Sequence, residues 1–301
     1  MVKTHKFKSK DIFMTVTVLL ICAVTVISFI FSDNILFNVK SRLVIPRSSE
    51  SFVKFIDVGQ GDSILIYSNG YSALIDTGPA ENSEQLSLAL RESGVDVIDV
   101  LMLSHLHIDH TGGVARVLED FEVKNLILPE LSTFSDGIYS AQLAIDKLTR
   151  AGNNVFSARD DMFFHIGDFK VSVVATYPTA LDENNRSLIV RADINNKSFL
   201  FTGDAEEATE RRLLKDEKYI KCDVLKIGHH GSTTSTTADF LTGCAPKYAV
   251  ITVGGDNDYG HPHRATLNLL KKRGIEYYRT DKQGDITFSV NRNKITVNTQ
   301  K

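Results

Sequence analysis

Residues 104–113 read SHLHIDHTGG, and within them His105, His107, Asp109 and His110 put three imidazoles and one carboxylate into six positions. Imidazole and carboxylate are the side chains that hold zinc and similar first-row cations. Such a group cannot easily be buried with only its own members as partners, because every desolvated polar atom needs a bond or a balancing charge. Four ligand-type residues so close together, ahead of Gly112-Gly113, point to a divalent-metal centre. The chemistry that follows is metal-assisted hydrolysis, since zinc lowers the pKa of bound water to about 7. The chain shows no arrangement resembling a serine or cysteine nucleophile.

The apolar run 97–103 predicts the buried strand that delivers this loop. Further strands are expected at 52–58, 63–67 and 71–75, the last two joined by the hairpin-type Asn69-Gly70. Others are expected at 123–128, 169–176, 187–193, 198–202, 222–227, 248–253 and 285–290. Helices are expected from Leu86 to Gly94, from Val114 onward, and over 136–151, 205–215, 236–242 and 264–273. Strands alternating with helices, with polar joints at strand ends, predict a single α/β sandwich over 51–301.

Ahead of it, residues 12–31 are twenty residues without a charge, the length that crosses a hydrocarbon core as a helix. Lys3, Lys6, Lys8 and Lys10 in the tail 1–11 predict an inside N-terminus, and so an outside catalytic domain after the linker 32–50. The run is too long for a cleaved signal peptide and lacks a small-x-small site after it. Seven Lys and Arg against two Asp and Glu precede Ser48, a net of +5, so the rest of a chain of charge −3 carries −8. Such an acidic body disfavours tight, purely electrostatic nucleic-acid binding. Cys22, Cys222 and Cys244 form no C-x-x-C pair, which excludes a disulfide scaffold or thiolate zinc site; Cys222 and Cys244 pair only if the fold joins them.

The 104–113 motif resembles that of the metallo-β-lactamase superfamily. "FIDVGQGDSILI", "LIDTG", "NNRSLIV", "FLFTGDAE", "DVLKIGHHGS" and "YGHPH" follow in the order found in the metallo-hydrolase domain of ComEC-type competence proteins, a resemblance covering about residues 50–290. It implies a four-layer αββα sandwich holding two divalent metals, zinc ahead of manganese. His105 and His107 then bind the first metal, Asp109 and His110 the second, and Asp204 bridges both. Asp204 read alone also suits a helix N-cap before Ala205-Glu206-Glu207. One of His229 and His230 completes the second metal; spacing does not say which, and His229 is taken as ligand with His230 against the substrate.

The superfamily usually has one more histidine before the bridging aspartate. The only histidine in that interval, His165, sits beside a Gly167-Asp168 turn and reads as structural, so Asn184 is the expected counterpart, as in the ComEC-like pattern. An amide oxygen is a harder ligand than imidazole, which brings manganese into consideration. ComEC domains often carry aspartate where this chain has His107. Asp57, Asp62 and Asp76 are expected to orient the histidines, with turn chemistry as the competing reading. Lys226 and His261 are expected to meet a substrate anion, and Ser232, Thr233 and Thr234 to bond its oxygens. The expected activity is hydrolysis of a phosphodiester, single-stranded DNA included, by a single-span membrane protein; hydrolysis of a lactam, lactone or thioester on the same metals is the alternative. A non-enzymatic role in a DNA-uptake or envelope machine fits less well, because the ligand set is complete.

Overall fold

The structure is a computed structural model describing residues 50–130 and 136–301. The apolar run 12–31, its basic flank and the linker lie outside the described residues, apart from Glu50. Among the described residues no helix is long and apolar enough to cross a membrane.

The first half of the chain supplies β1 (Ser51–Phe55), β2 (Ile64–Ser68), β3 (Tyr71–Ile75), β4 (Val97–Ile98), β5 (Val100–Met102), β6 (Glu122–Val123), β7 (Asn125–Leu128) and β8 (Asn154–Ser157). The second half supplies β9 (Phe163–Ile166), β10 (Phe169–Ala175), β11 (Ile189–Ile194), β12 (Lys197–Phe201), β13 (Val224–Lys226), β14 (Tyr248–Ile251) and β15 (Glu276–Arg279), after which β16 (Ile286–Asn291) and β17 (Lys294–Thr299) return to the first sheet. One sheet runs β17-β16-β1-β2-β3-β5-β7-β8, the other β15-β14-β13-β12-β11-β10-β9, and β4 pairs with β6 alone. Each large sheet has an antiparallel half and a parallel half. The parallel pairs are β3–β5, β5–β7 and β7–β8 in one, and β12–β13, β13–β14 and β14–β15 in the other.

Side-chain periodicity explains the layers. β10 reads FKVSVVA, with every second residue buried, so one face enters the core and the other does not. β2 reads ILIYS and is buried throughout, because both of its faces are covered. Between the sheets, Phe55, Phe199, Phe201 and Phe288 meet ring to ring at 5.9–6.5 Å. Each such ring contributes on the order of 1.5–3 kcal/mol by leaving water.

Helices cover both outer faces. α1 (Ser83–Glu92), α3 (Val114–Asp120) and α4 (Ile138–Arg150) pack on the first sheet, with the short α2 (Ile108–Thr111) at its end. α4 turns Ala141, Ala144 and Leu148 inward at helical spacing. α5 (Glu207–Lys215), α6 (Ala238–Cys244) and α7 (Arg264–Lys272) pack on the second sheet, and α8 (Thr280–Gln283) precedes β16. Three hydrophobic clusters, one between the sheets and one beyond each, make this a layered α/β sandwich.

Four strands were not anticipated: β8, β9, β15 and β17. β8, β9, β15 and β17 are the outermost strands of the two sheets, and four of the six residues of β17 are exposed. β8, β15 and β17 bury too little to print a clear apolar alternation, and β9 alternates over only four residues. His165 lies in β9 beside the Gly167-Asp168 turn. Cys222 and Cys244 are both buried free thiols, with the Cys222 N–H donating to the Cys244 carbonyl at 2.9 Å.

Candidate metal centre

The functional side chains leave the sheets at the carboxyl ends of parallel strands, where ligand sites in open α/β sheets form. Asp76 follows β3, the His105 loop follows β5, Asp204 follows β12, His229-His230 follow β13, and the loop from Thr252 to His261 follows β14. Asp76, His229 and His230 have φ of 61°, 46° and 51°. Non-glycine residues there carry strain that surrounding contacts must hold, and such residues concentrate at functional sites. Gly61 permits another close approach: a Cβ there would lie 2.2 Å from the Asp109 carbonyl oxygen.

One ligand atom from each of Asp109, His110, Asp204 and His230 falls within a sphere where all pairs are 4.8 Å apart or less. His110 Nε2 is 3.3 Å from Asp204 Oδ1, and His230 Nε2 is 3.3 Å from Asp204 Oδ2 and 3.2 Å from Asp109 Oδ2. His110 Nε2, His230 Nε2 and Asp204 Oδ1 are buried without a hydrogen bond of acceptable geometry. Buried polar atoms are almost always bonded, so three converging orphans mark a place where a ligand completes the set. Two imidazole nitrogens and two carboxylates fit a divalent first-row cation.

Their far sides are anchored, which fixes their aim. Asp76 Oδ2 lies 2.8 Å from His110 Nδ1, and both Asp76 oxygens accept from Ser104, through its N–H and its hydroxyl, at 2.6 Å. The Thr252 carbonyl lies 2.9 Å from His230 Nδ1. Orienting partners of this kind set the tautomer of a ligating histidine.

Beside this group, His105 is fully buried and its Nε2 lies 3.1 Å from His107 Nδ1. Its ring is 4.1 Å from that of His110. Asn184 lines the same cleft with its Oδ1 buried and unbonded, while its Nδ2 donates to Glu206 at 3.3 Å.

The histidine pair departs from expectation. His230 enters the cluster, whereas His229 Nε2 stands 3.9 Å from Asp204 and its Nδ1 3.1 Å from Glu206 Oε1. The left-handed backbone at both residues sends the two rings apart. Lys226 also departs from expectation. It is wholly buried, its Nζ lies 2.6 Å from Asp62 Oδ2 and 3.6 Å from Asp204 Oδ1, and it donates to the Gly203 carbonyl at 2.7 Å. An ammonium enclosed in this way is placed as a counter-ion to Asp62 and Asp204 and does not line the cleft. The Thr234 hydroxyl donates to Glu206 at 2.9 Å and lies 3.0 Å from the Ser232 hydroxyl, and the Thr233 N–H donates to His263, so the loop is tied to the starts of α5 and α7.

Asp204 does not cap α5; its carboxylate faces the cluster and Glu206 occupies the cap position. Asp62 also accepts from the Thr252 hydroxyl, while Asp57 accepts from the Gly59 N–H as turn chemistry. His261 lines the cleft with Nδ1 buried and unbonded. Sequence reasoning missed Glu206, which joins His229, Asn184 and Thr234, and Ser104 and Thr252, which hold Asp76, Asp62 and His230. No local signal sets these apart from ordinary loop residues.

Electrostatics follow from burial and pairing. Burial presses His110 and His230 toward neutrality, but the Asp204 carboxylate and its neighbours outweigh it, raising His110 well above the usual range and His230 to about 10. Burial opposes ionisation of Asp204, yet His230 and His110 hold it well below the carboxylate range. His105 is driven well below its usual value by burial and by His110. His261 falls to about 4 through burial and the adjacent His229.

A mixed-sheet sandwich with a histidine–aspartate cluster at its strand ends defines a class, and residues 56–254 match the metallo-beta-lactamase superfamily, to which the chain belongs. Its relatives include ComE operon protein 3 of Bacillus subtilis, 32% identical over 80% of this chain and 33% of that protein. Competence protein ComA of Neisseria gonorrhoeae is 30% identical over 81% of this chain and 33% of its own length. These are ComEC-type competence proteins, and the chain spans about a third of their length. Among solved structures, the metallo-beta-lactamase fold protein YhfI from Bacillus subtilis superposes with a TM-score of 0.52 at 13% identity, over 82% of this chain and all of that one. CmlA, a diiron beta-hydroxylase from Streptomyces venezuelae, does so at 0.53 and 16%, over 81% of this chain and 55% of that one. At such identities the likeness is one of fold, and function must be argued from the site.

Proposed function

We propose that the protein is a membrane-anchored, extracytoplasmic hydrolase of phosphodiesters, with single-stranded DNA as its expected substrate and two divalent metal ions as cofactors. The observation that carries the reading is the convergence of three unbonded buried atoms, on His110, His230 and Asp204, beside Asp109. His110, His230, Asp109 and Asp204 would hold one cation; His105, His107 and Asn184, with Asp204 between, would hold the other. A bound divalent cation supplies water of lowered pKa and positive charge for a developing oxyanion. Asp109, whose side chain is partly exposed, lines the cleft and would orient the attacking water. His261, kept neutral by burial, offers a ring N–H to a phosphate oxygen rather than a charge. Competence-protein relatives favour DNA as the polymer. Zinc suits the imidazoles, and manganese the amide and carboxylate oxygens.

One observation favours the second reading, hydrolysis of a non-phosphate bond. With Lys226 enclosed, the described residues lining the 530 Å³ cleft include no lysine or arginine. The deciding experiment loads the full chain, in detergent, with manganese or zinc and offers bis-nitrophenyl phosphate, single-stranded DNA and a chromogenic cephalosporin. Turnover of the diesters is expected. Turnover of the cephalosporin alone transfers the assignment to the second reading.

The histidine assignment has its own test. His230→Ala should lose bound metal and at least about 100-fold in activity, because even partners that only orient ligands cost 10–100-fold. His229→Ala should keep its metal content. Retention of metal by the first and loss by the second, measured by elemental analysis, would restore the sequence-based assignment.

The metal-free protein keeps His110 and His230 protonated at neutral pH. A raised histidine pKa contributes stability that is complete below the unfolded value near 6.5 and is lost as pH rises, for His230 through about 10. Ligation needs the neutral ring, so zinc uptake at pH 7 should release protons and affinity should climb with pH. Calorimetry in buffers of different ionisation heat measures the release; its absence would remove both residues from the ligand set.

The anchor is tested by adding protease to spheroplasts, which should digest residues 51–301. Protection of that region would reverse the orientation.

A further inference from the structure

The cleft's chemistry raises the question of what holds a nucleic-acid strand there. Six carboxylates line it, those of Glu81, Asp109, Asp136, Asp204, Asp256 and Asp258, with no lysine or arginine among its described lining residues. Side chains therefore repel a phosphate backbone, and away from the cations the strand must be held through something other than its charge. Tyr259 is the one aromatic ring on the described wall apart from histidines. It is 67% exposed, far more than a core ring, so a large part of its surface is open to solvent. Part of the rest lies against His261, centroids 5.6 Å apart and planes inclined by only 23°.

The loop beneath the ring is held at its base. Asn257 Nδ2 donates to the Gly254 and His261 carbonyls at 2.8 Å, and the His261 N–H donates to Asn257 Oδ1 at 2.9 Å. These bonds tie the two ends of the loop that carries Tyr259. Behind it, His261 stands 5.4 Å from His229 and 6.4 Å from His230, so the stack leads to the cluster. An aromatic face backed by a second ring, beside a cleft without cationic side chains, suits a flat, weakly charged partner.

Resting on the phosphodiester reading, we propose that Tyr259 is a stacking platform for an unpaired nucleobase next to the scissile phosphate. Every base has a π-face, so the platform tolerates any sequence, and it rejects a duplex, whose bases are already stacked. Recognition is thus divided between the base on Tyr259 and the phosphate at the metal centre.

The test uses the full chain in detergent with manganese. It compares kcat/KM on a single-stranded deoxyoligonucleotide, the ribo-oligonucleotide of the same sequence, and an abasic strand of equal length. The unaltered chain should prefer either base-bearing strand to the abasic one. Tyr259→Ala should shrink that preference by about tenfold or more, chiefly through KM, and Tyr259→Phe should preserve it. An undiminished preference in Tyr259→Ala overturns the platform and leaves the phosphodiester reading standing, since diesters are still cleaved. If the unaltered chain cleaves no diester, that reading fails and the platform falls with it.

Discussion

Asp204→Ala is expected to abolish hydrolysis while leaving the domain folded. Both carboxylate oxygens are in use: Oδ1 lies 3.3 Å from His110 and 3.6 Å from Lys226, and Oδ2 lies 3.3 Å from His230. Asp62 meets the same three residues, but on the Nδ1 side of the two imidazoles, so Asp204 is the carboxylate placed between their Nε2 atoms. The fold should survive because the largest influence raising His110 and His230 is gone, so burial shifts both toward neutrality, while Asp76 and Asp109 still face any charge that remains. A neutral buried imidazole costs far less than an unpaired buried charge. The activity loss should exceed about 100-fold, the upper end of what removing a mere orienting partner costs. Metal content should fall with it and circular dichroism should be retained. Full activity in a folded, metal-poor variant would sink the assignment. His110→Ala should behave alike, with Asp76 left on its two Ser104 bonds.

The second large effect is on stability. Lys226→Met removes a cation buried against Asp62 at 2.6 Å and leaves Asp62 enclosed with only the Thr252 hydroxyl and nearby histidines. Breaking one side of a buried pair costs about 3–5 kcal/mol, so the melting temperature of the metal-free chain should drop by roughly 10 °C. Burial opposes the Lys226 charge, but Asp62 and Asp204 outweigh it and raise its pKa, so the ammonium is intact throughout the neutral range. Adding Asp62→Asn to Lys226→Met should recover part of the loss, because the two residues are directly coupled. An unchanged melting temperature in the single variant would show that the pair is not needed. A Lys226 that instead contacted substrate would lower activity and spare stability, which separates the two roles.

Much of the architecture was legible in the residues because it depends on local periodicity. Alternation in β10 and the apolar runs leading into His105, Asp204 and His229 mark buried strands whatever packs on them. The order of ligand-type residues after strand ends, and their match to a known pattern, pointed to loops that the structure brings together around Asp109, His110, Asp204 and His230. β8, β15 and β17 escaped because partly exposed residues carry little apolar signal, and β9 because its alternation spans only four residues.

The amino-acid sequence alone determined which residues can bind a cation and that they leave strands at turns; the tertiary structure decided which way they face. His229 and His230 are adjacent and chemically identical, and only the left-handed backbone around them directs one ring into the cluster and the other toward Glu206. Lys226 in DVLKIG looks like a free cation until β13 is packed in the middle of its sheet, where the charge survives only because Asp62 from the other half of the chain meets it. Long-range electrostatic pairing has no period and no spacing, so it becomes visible only when the sheets close on each other.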